Sequence, residues 1–237
     1  MNRLLFPAAL FAFSLCLPSL AQKNPRPLPE DFKSLEALVA LSMKALAEEG
    51  DAESQYNLGE MYLNGHGVAQ DDKEAIKWYR KAAGRNHPQA QYTLGDMYRN
   101  GHGVAQDDKE AAKWYREAAE QNFPQALHNL GAMYELGLGV AKDEQEAVKW
   151  YRRAAEKGAA FAQFRLGMLH YAGTGVAQKD IVTACAWLII AATNGLLPTN
   201  TFHGSFPKKL TPEQIVKAEA LAKDMMGKNP NLIQRKN

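Results

Sequence analysis

The chain has 237 residues, of which 46% are hydrophobic and 23% are charged. This is the composition of a globular protein, and it excludes disorder over the whole length. The formal net charge of +2 excludes a strong field for attracting nucleic acid or an anionic membrane, so neither is expected as a partner.

The first 21 residues have the pattern of a secretory signal peptide. Arg3 supplies a positive charge, residues 4–17 are almost wholly apolar, and Ser19 and Ala21 place small residues before a cleavage site. We therefore expect cleavage after Ala21, a mature protein in the periplasm or outside the cell, and no membrane span in that mature protein. The alternative is an uncleaved anchor, which is disfavoured because a membrane span needs roughly 20 apolar residues.

The chain has two cysteines, Cys16 and Cys185. Lipid attachment at Cys16 is disfavoured because Leu15 precedes it, where a small residue is usual. Signal cleavage leaves Cys185 alone, so the mature protein forms no internal disulfide and depends on packing for its stability. Cys185 lies within the apolar residues 183–192, which predicts a buried, inert thiol.

An internal repeat is the main feature of the remaining sequence. The segment Gln-Tyr-Asn-Leu-Gly-Glu-Met-Tyr begins at Gln55, and its counterparts begin 36 residues apart at Gln91, Leu127 and Gln163. A fixed period of this size indicates stacked supersecondary units rather than a single irregular domain.

Each unit contains two helical patterns, here termed helix A and helix B. In the first unit helix A covers about residues 52–63 and ends at a Gly-rich loop, residues 64–67, where glycine can take the left-handed conformation. Helix B follows Asp71, and the spacing of Asp71 and Glu74 predicts a capping box. The same pair recurs as Asp107 with Glu110 and as Asp143 with Glu146.

Glycine recurs inside helix A, at residues 59, 95, 131 and 167. A glycine costs a helix about 1 kcal/mol relative to alanine, so its recurrence predicts that a neighbouring element approaches closely there. Helix B carries one tryptophan per unit, at residues 78, 114, 150 and 187. We interpret these tryptophans as core wedges between helices rather than as a surface for stacking sugars.

The recurring residues resemble the Sel-1-like repeat (SLR) family, relatives of the tetratricopeptide repeat. The second unit carries the pattern most fully, in Leu94-Gly95, Tyr98, Gly101-x-Gly103-Val104, Asp107, Trp114-Tyr115 and Ala118-Ala119. The resemblance covers about residues 51–195. It implies an all-α fold, a right-handed superhelical α-solenoid of about four helix–turn–helix repeats with helical caps, in a bacterial secreted or periplasmic protein that binds other proteins.

The pattern also predicts boundaries. A flexible segment (22–29) precedes an N-terminal capping helix (30–50), and the four repeats cover residues 51–86, 87–122, 123–158 and 159–195. In the fourth, degenerate repeat His170 replaces the usual tyrosine, and an inserted residue near Asp180 removes the capping box. A linker (196–210), a C-terminal helix (211–227) that begins with a cap at Thr211 and a frayed tail (228–237) complete the chain.

Catalytic and metal-binding patterns are weak. His66 and His102 share a loop position, but no local pair has metal-ligand spacing, so exposed loop histidines are expected. Ser205 and Lys208 match Ser-x-x-Lys, yet Pro207 interrupts the motif and its companion motifs are missing. We therefore predict no catalytic residue, no cofactor, no metal and no enzyme activity. A hydrolase directed at β-lactam or peptidoglycan substrates is the alternative, and a regulatory or immunity partner of another protein is a third reading.

Helix A offers the candidate binding surface, because it lines the concave groove in the tetratricopeptide relatives. The exposed stripe of helix A changes along the array from polar and acidic to apolar and aromatic, which predicts partner recognition. The alternative is that the aromatic positions are structural. The candidate partner-binding residues are Tyr56, Glu60, Leu63, Tyr92, Asp96, Arg99, His128, Glu135, Phe161, Phe164, Met168 and Tyr171. The sequence thus predicts a monomeric, non-enzymatic scaffold that is exported and binds a peptide or protein in this groove.

Overall fold

The computed structural model describes residues 35–196 and 210–233. These residues form ten α-helices and a short 3₁₀ helix, with no strand among them. The helices are α1 (Leu35–Glu49), α2 (Ala52–Asn64), α3 (Asp72–Ala83), α4 (Pro88–Asn100), α5 (Asp108–Glu120), α6 (Pro124–Leu136), α7 (Glu144–Glu156), α8 (Ala160–Ala172), α9 (Ile181–Thr193) and α10 (Pro212–Lys228), followed by the 3₁₀ turn Pro230–Leu232. The all-α solenoid class predicted from the repeat is confirmed: α2, α4, α6 and α8 are the helices A, and α3, α5, α7 and α9 are the helices B.

The predicted signal peptide, the flexible segment 22–29 and the Ser205–Lys208 motif lie outside the described residues. The same holds for most of the predicted linker 196–210.

Each helix A ends at a glycine, as predicted. Gly65 follows α2 with φ of 71°, and its N–H donates to the carbonyl oxygen of Met61. Gly101, Gly137 and Gly173 end α4, α6 and α8 in the same left-handed conformation. A residue with a Cβ is strained in this conformation, so glycine sets the length of every helix A.

The predicted capping boxes at helix B are only half formed. The Asp71 carboxylate accepts from the backbone N–H groups of Lys73 and Glu74, at 2.9 and 3.1 Å. However, the Asp71 N–H already donates to the Tyr62 carbonyl oxygen at 2.9 Å. Glu74 therefore does not complete the box, and its carboxylate pairs with Lys77 at 3.0 Å. The backbone N–H groups of Asp107 and Asp143 are engaged in the same way.

The caps of α9 and α10 differ from each other. Asp180 caps α9 despite the insertion, since its carboxylate accepts from the N–H of Thr183 at 3.0 Å and from the Thr183 hydroxyl at 2.7 Å. The fourth repeat thus keeps a simple cap, while the reciprocal capping box is absent, as predicted. By contrast, Thr211 and Gln214 form a complete, reciprocal box at the start of α10, as the cap predicted there requires.

The described residues divide into two compact units, the first ending at Ala82 and the second beginning at Ala83. In the first unit Ala47, Leu58 and Trp78 form a small core, with Met61 and Tyr62 packed against it. In the second unit one continuous core joins buried residues of α5 to α10 and extends to Leu232. Each unit buries the small and aromatic residues that recur in the repeat, because helices A and B pack through them.

The helix-A glycines accommodate a large side chain from helix B. A Cβ on Gly59, Gly95 or Gly131 would lie 2.6, 2.5 or 2.9 Å from the ring of the tyrosine that follows the helix-B tryptophan. In the fourth repeat Leu188 takes that place against Gly167. The prediction of close approach is confirmed. The prediction for the tryptophans holds for Trp78 and Trp187, which are buried, whereas Trp114 and Trp150 are half-buried.

The C-terminal segment packs onto the fourth repeat as far as it is described, which corrects the predicted frayed tail for residues 228–233. Leu232 is buried in the core of the second unit. Its carbonyl oxygen accepts from Nε2 of Gln163 at 2.8 Å and from Nδ2 of Asn194 at 2.7 Å. Gln163 is itself fully buried and also donates to the Ala155 carbonyl oxygen at 3.1 Å. A buried amide, Gln163, and a half-buried one, Asn194, therefore hold the end of the described chain against helices α8 and α9.

Candidate functional site

Three helices A form one surface in the second unit. Across α4 and α6, Nδ2 of Asn129 lies 3.4 Å from the Asp96 carboxylate. Across α6 and α8, the His128 and Phe161 rings have centroids 6.3 Å apart, and Arg165 forms an ion pair with Glu135. We call this surface of α4, α6 and α8 the helix-A face. Its side chains contact one another directly, so a ligand would meet a prearranged surface.

The acidic candidate residues accept hydrogen bonds from core tyrosines. The hydroxyl groups of Tyr115 and Tyr151 donate to Asp96 at 2.5 Å and to Glu135 at 2.8 Å. In the first unit Tyr79 donates to Glu60 in the same way, at 2.6 Å. Burial and the neighbouring acid raise the pKa of each of the three tyrosines, which keeps the hydroxyl protonated as a donor. Buried hydroxyl groups need such acceptors.

These hydrogen bonds give part of the variation along the helix-A stripe, from which partner recognition was predicted, a role in folding. Glu60 and Asp96 occupy equivalent positions, and the third repeat has Ala132 there. Glu135, which lies one helical turn later, then accepts from the tyrosine instead. The change of residue type therefore follows from the need to satisfy one buried hydroxyl group in each of the first three repeats.

The aromatic candidates support the same tyrosines. The rings of Tyr56 and Tyr79 have centroids 5.6 Å apart, and Tyr92 and Tyr115 are 5.8 Å apart. Tyr56 is buried, contrary to its predicted exposure, because it packs on the ring that fills the space beside Gly59. These contacts support the alternative that the aromatic positions of helix A are structural.

His128 occupies that position in the third repeat. Its ring lies 5.4 Å from the ring of Tyr151, between the tyrosine and Phe161. Burial lowers the pKa of His128, and the cations of Arg165 and Arg99 lower it further. The imidazole is therefore held in its neutral form and packs as an aromatic ring in place of tyrosine.

Exposed apolar side chains are concentrated at the α8 end of the helix-A face. Phe161 and Met168 lie seven residues apart on one side of α8, and 65% and 38% of their surfaces are exposed. Leu136, at the end of α6, is 62% exposed and was not among the candidates, although the stripe continues to it. We call Phe161 and Met168 the apolar patch. Exposed apolar groups of this kind are typical of interface anchors.

The other candidate residues are partly covered. Phe164 and Tyr171 are half-buried on α8, and the Lys179 ammonium lies 4.5 Å from the centre of the Tyr171 ring. Leu63 and Arg99 are half-buried as well. Phe161 and Met168 are thus exposed. The half-buried residues have less surface available to a partner: Leu63, Arg99, Phe164 and Tyr171.

The loop histidines and Cys185, which were considered for chemistry, are not part of the apolar patch. Residues 35–196 and 210–233 contain no cluster of three His, Cys, Asp or Glu side chains able to hold a metal ion. His66 and His102 are exposed loop residues, as predicted. Cys185 is buried, also as predicted, and burial raises the pKa of its thiol. Within the described part of the chain, no helix has the length and apolar content to span a membrane.

Comparison with known proteins identifies the repeat. The chain is similar to a Sel1 repeat protein of known structure from Oxalobacter formigenes, with 34% identity and a TM-score of 0.63 over 68% of this chain and 46% of that protein. It is also similar to c5321, a protective antigen with an SLR fold from uropathogenic Escherichia coli, with 29% identity and a TM-score of 0.49 over 83% of this chain and 58% of that protein.

A shorter similarity extends to a viral protein. The putative sel1-like repeat-containing protein L18 of Acanthamoeba polyphaga mimivirus is 41% identical over 46 residues, which are 19% of this chain and 8% of that protein. The chain spans less than two thirds of the length of each of these three proteins. The Sel1 repeat model matches residues 52–87, 88–123, 124–158 and 160–196. Because these matches cover more than half of the chain, the protein belongs to the Sel1-repeat family.

Proposed function

We propose that this protein is an exported interaction scaffold whose second unit binds a peptide or protein through the apolar patch on its helix-A face. Sel1-repeat proteins are generally non-enzymatic scaffolds for protein–protein interaction. The observation that supports this site is the exposure of Phe161 and Met168 on α8, on a surface where the neighbouring side chains are already held by tyrosine, acid and arginine contacts.

The geometry favours a partner segment with two apolar anchors. Phe161 and Met168 are seven residues apart on α8, which corresponds to roughly 10 Å along the helix axis. Two turns of an amphipathic helix, or three residues of an extended strand, span a similar distance. Full burial of one such side chain contributes about 1.5–3 kcal/mol, so the pair can dominate the affinity of a small interface.

The polar side chains beside the apolar patch provide groups that can orient the bound segment. Arg165 and Glu135 form an ion pair beside the patch, and the Glu135 carboxylate also accepts from Tyr151. A partner with a polar group next to its apolar anchors could therefore bind without leaving either charge uncompensated. Residues 1–21 support the export part of the proposal, since they have the features of a cleaved signal peptide.

Site-specific photo-crosslinking tests the binding site. A photoreactive phenylalanine analogue is placed at Phe161 or at Met168 in cells that produce the full chain, and the crosslinked proteins are identified by mass spectrometry. Val216 on α10 provides a matched control, because it is apolar and 65% exposed but lies off the helix-A face. We expect the same protein to crosslink at residues 161 and 168 and not at 216. Crosslinking that is equal at all three positions would exclude the patch.

The export part is tested separately. The mass of the protein recovered from the periplasm should correspond to a chain that begins at Gln22. Recovery of the intact chain from the cytoplasm would contradict export while leaving the binding site untouched.

A further inference from the structure

Helix α1 corresponds to helix B of a repeat, and no helix A of that repeat is among the described residues. With the 36-residue period, Val39, Met43 and Leu46 take the positions of Ala75, Tyr79 and Ala82 in α3. In α3 these positions face helix A of the same repeat, as the contact between Tyr79 and Gly59 shows. The same side of α1 is thus built to pack against another helix.

The exposure of these positions differs sharply between α1 and the other helices B. Ala75, Tyr79 and Ala82 are fully buried, and so are their counterparts in α5 and α7: Ala111, Tyr115, Ala118, Ala147, Tyr151 and Ala154. In α1, Leu46 is 37% exposed, and Val39 and Met43 are only half-buried. Leu35, one turn before Val39 on the same side, is 65% exposed. We call Leu35, Val39, Met43 and Leu46 the α1 face.

The mature chain is too short to cover this face with a helix A of its own. Each helix A has 13 residues, and the connection from α2 to α3 takes residues 65–71. Cleavage after Ala21 leaves residues 22–34, which number only 13 and include prolines at 25, 27 and 29. Proline costs about 3 kcal/mol inside a helix. This step depends on the proposed export, because an uncleaved chain would retain the apolar residues 4–17.

We propose that the α1 face is the interface of a homodimer, in which the α1 helices of two copies pack antiparallel about a two-fold axis. A two-fold contact uses the same patch on both copies, so that patch has to be complementary to itself. The α1 face meets this requirement, because its four residues are all apolar. Lys44 lies on the opposite side of the helix by its 3.6-residue periodicity, whereas Glu36, seven residues before Met43, borders the face.

The C-terminal helix α10 has charged residues on its outer side, in contrast to α1. The outer side of α10 carries ion pairs between Glu213 and Lys217, at 2.6 Å, and between Asp224 and Lys228, at 2.7 Å. Terminal elements of repeat proteins need such polar outer surfaces for solubility. The apolar α1 face departs from this rule, which favours a closed dimer through α1 alone over an open filament.

The interface is small. Fifteen residues of α1 form a helix of about 22 Å, so one helix pair buries less than the roughly 800 Å² per partner of a standard interface. We therefore expect a dimer that dissociates on dilution.

Sedimentation velocity of the chain that begins at Gln22, over a wide range of concentration, tests the proposal. The sedimentation coefficient should rise from the monomer to the dimer value as concentration increases. The double variant Leu35→Lys/Leu46→Lys should stay monomeric, because it places four positive charges in the interface. Leu41→Lys is the matched control: Leu41 is 51% exposed on the same helix but off the α1 face, at the position of the exposed Lys77, and it should dimerise as the parent does.

A charge-swap mixture makes the test independent of any general effect of lysine. Leu35→Lys/Leu46→Lys and Leu35→Glu/Leu46→Glu should each be monomeric alone and should form a heterodimer when mixed. The circular dichroism of each variant should match the parent, and so should its thermal midpoint at a concentration where the parent is monomeric, since the substituted side chains are exposed in the monomer. A parent that is monomeric at every concentration, a lysine double variant that still dimerises, or a mixture that stays monomeric would each overturn the proposal. None of these results bears on crosslinking at Phe161.

Discussion

Tyr151 donates to Glu135 at 2.8 Å, whereas Tyr115 in the preceding repeat donates at 2.5 Å to Asp96, whose position corresponds to Ala132, one helical turn before Glu135. The repeat thus keeps the hydrogen bond and changes the residue that accepts it. Glu135 also pairs with Arg165, so one carboxylate joins α6, α7 and α8.

Replacing Glu135 by alanine should therefore destabilise the second unit. The change leaves the Tyr151 hydroxyl and Arg165 without their shared partner, and an unsatisfied buried polar group costs about 1–3 kcal/mol. Chemical denaturation of Glu135→Ala, Tyr151→Phe and the double variant measures the coupling. Glu144→Ala is the control, because Glu144 pairs with Lys142 in a largely exposed ion pair and should lose less than about 1 kcal/mol. Additive losses at Glu135 and Tyr151 would contradict the shared role.

Replacing His128 by tyrosine, the residue at this position in the first two repeats, should reduce acid sensitivity. Burial and the cations of Arg165 and Arg99 lower the pKa of His128 from 6.5. Below pH 6.5 the unfolded chain takes up a proton that the folded chain resists, so stability falls as the pH is lowered. Burial lowers the pKa of His170 in the same direction, so part of the sensitivity should remain. On going from about pH 7.5 to about pH 5.5, roughly one unit above and below the unfolded pKa, the thermal midpoint of the variant should fall less than that of the parent; parallel curves would contradict this role.

Adding a methyl group at Gly95 should destabilise the protein although alanine favours helices. The new Cβ would lie 2.5 Å from the Tyr115 ring, and overpacking of this kind costs about 1–3 kcal/mol, against a propensity gain of about 1 kcal/mol. Gly227→Ala in α10 is the matched control, because no atom lies within 4 Å of its Cβ position and the change should be neutral or slightly stabilising. Equal effects of the two substitutions on the denaturation midpoint would mean that the Tyr115 contact does not determine glycine at residue 95.

Replacing Gln163 by leucine should release the C-terminal segment. The third repeat has Leu127 at the same position, so leucine fits the helix, but the variant loses the donor to the Leu232 carbonyl oxygen. Hydrogen exchange over residues 230–233 should become faster while exchange in α4 and α5 stays unchanged. Gln91→Leu is the control, because Gln91 donates to the Ala83 carbonyl oxygen instead. Unchanged protection of residues 230–233 in Gln163→Leu would show that Asn194 alone holds the segment.

The sequence determined the repeat, the fold class and the local signals that shape each helix. Glycine at residue 65 and its counterparts and Asp71 with its counterparts act through neighbouring backbone, so their effect is readable from spacing. Tyr79 and Gly59 could be paired for a related reason: a glycine that recurs inside a helix requires a close neighbour, and the period supplies one in every unit.

Only the tertiary structure decided which side chains share a hydrogen bond or remain in solvent. Glu135 is joined to Arg165, 30 residues later, and Gln163 to Leu232, 69 residues later, and neither link repeats with the period. Tyr56 and Phe161 both lie on helices A, yet one is buried and the other exposed, because exposure depends on what the neighbouring helices cover. Residues that recur with the period make the same contacts in each repeat that has them. Residues that differ between repeats depend on neighbours that are distant in the sequence and that only folding brings together.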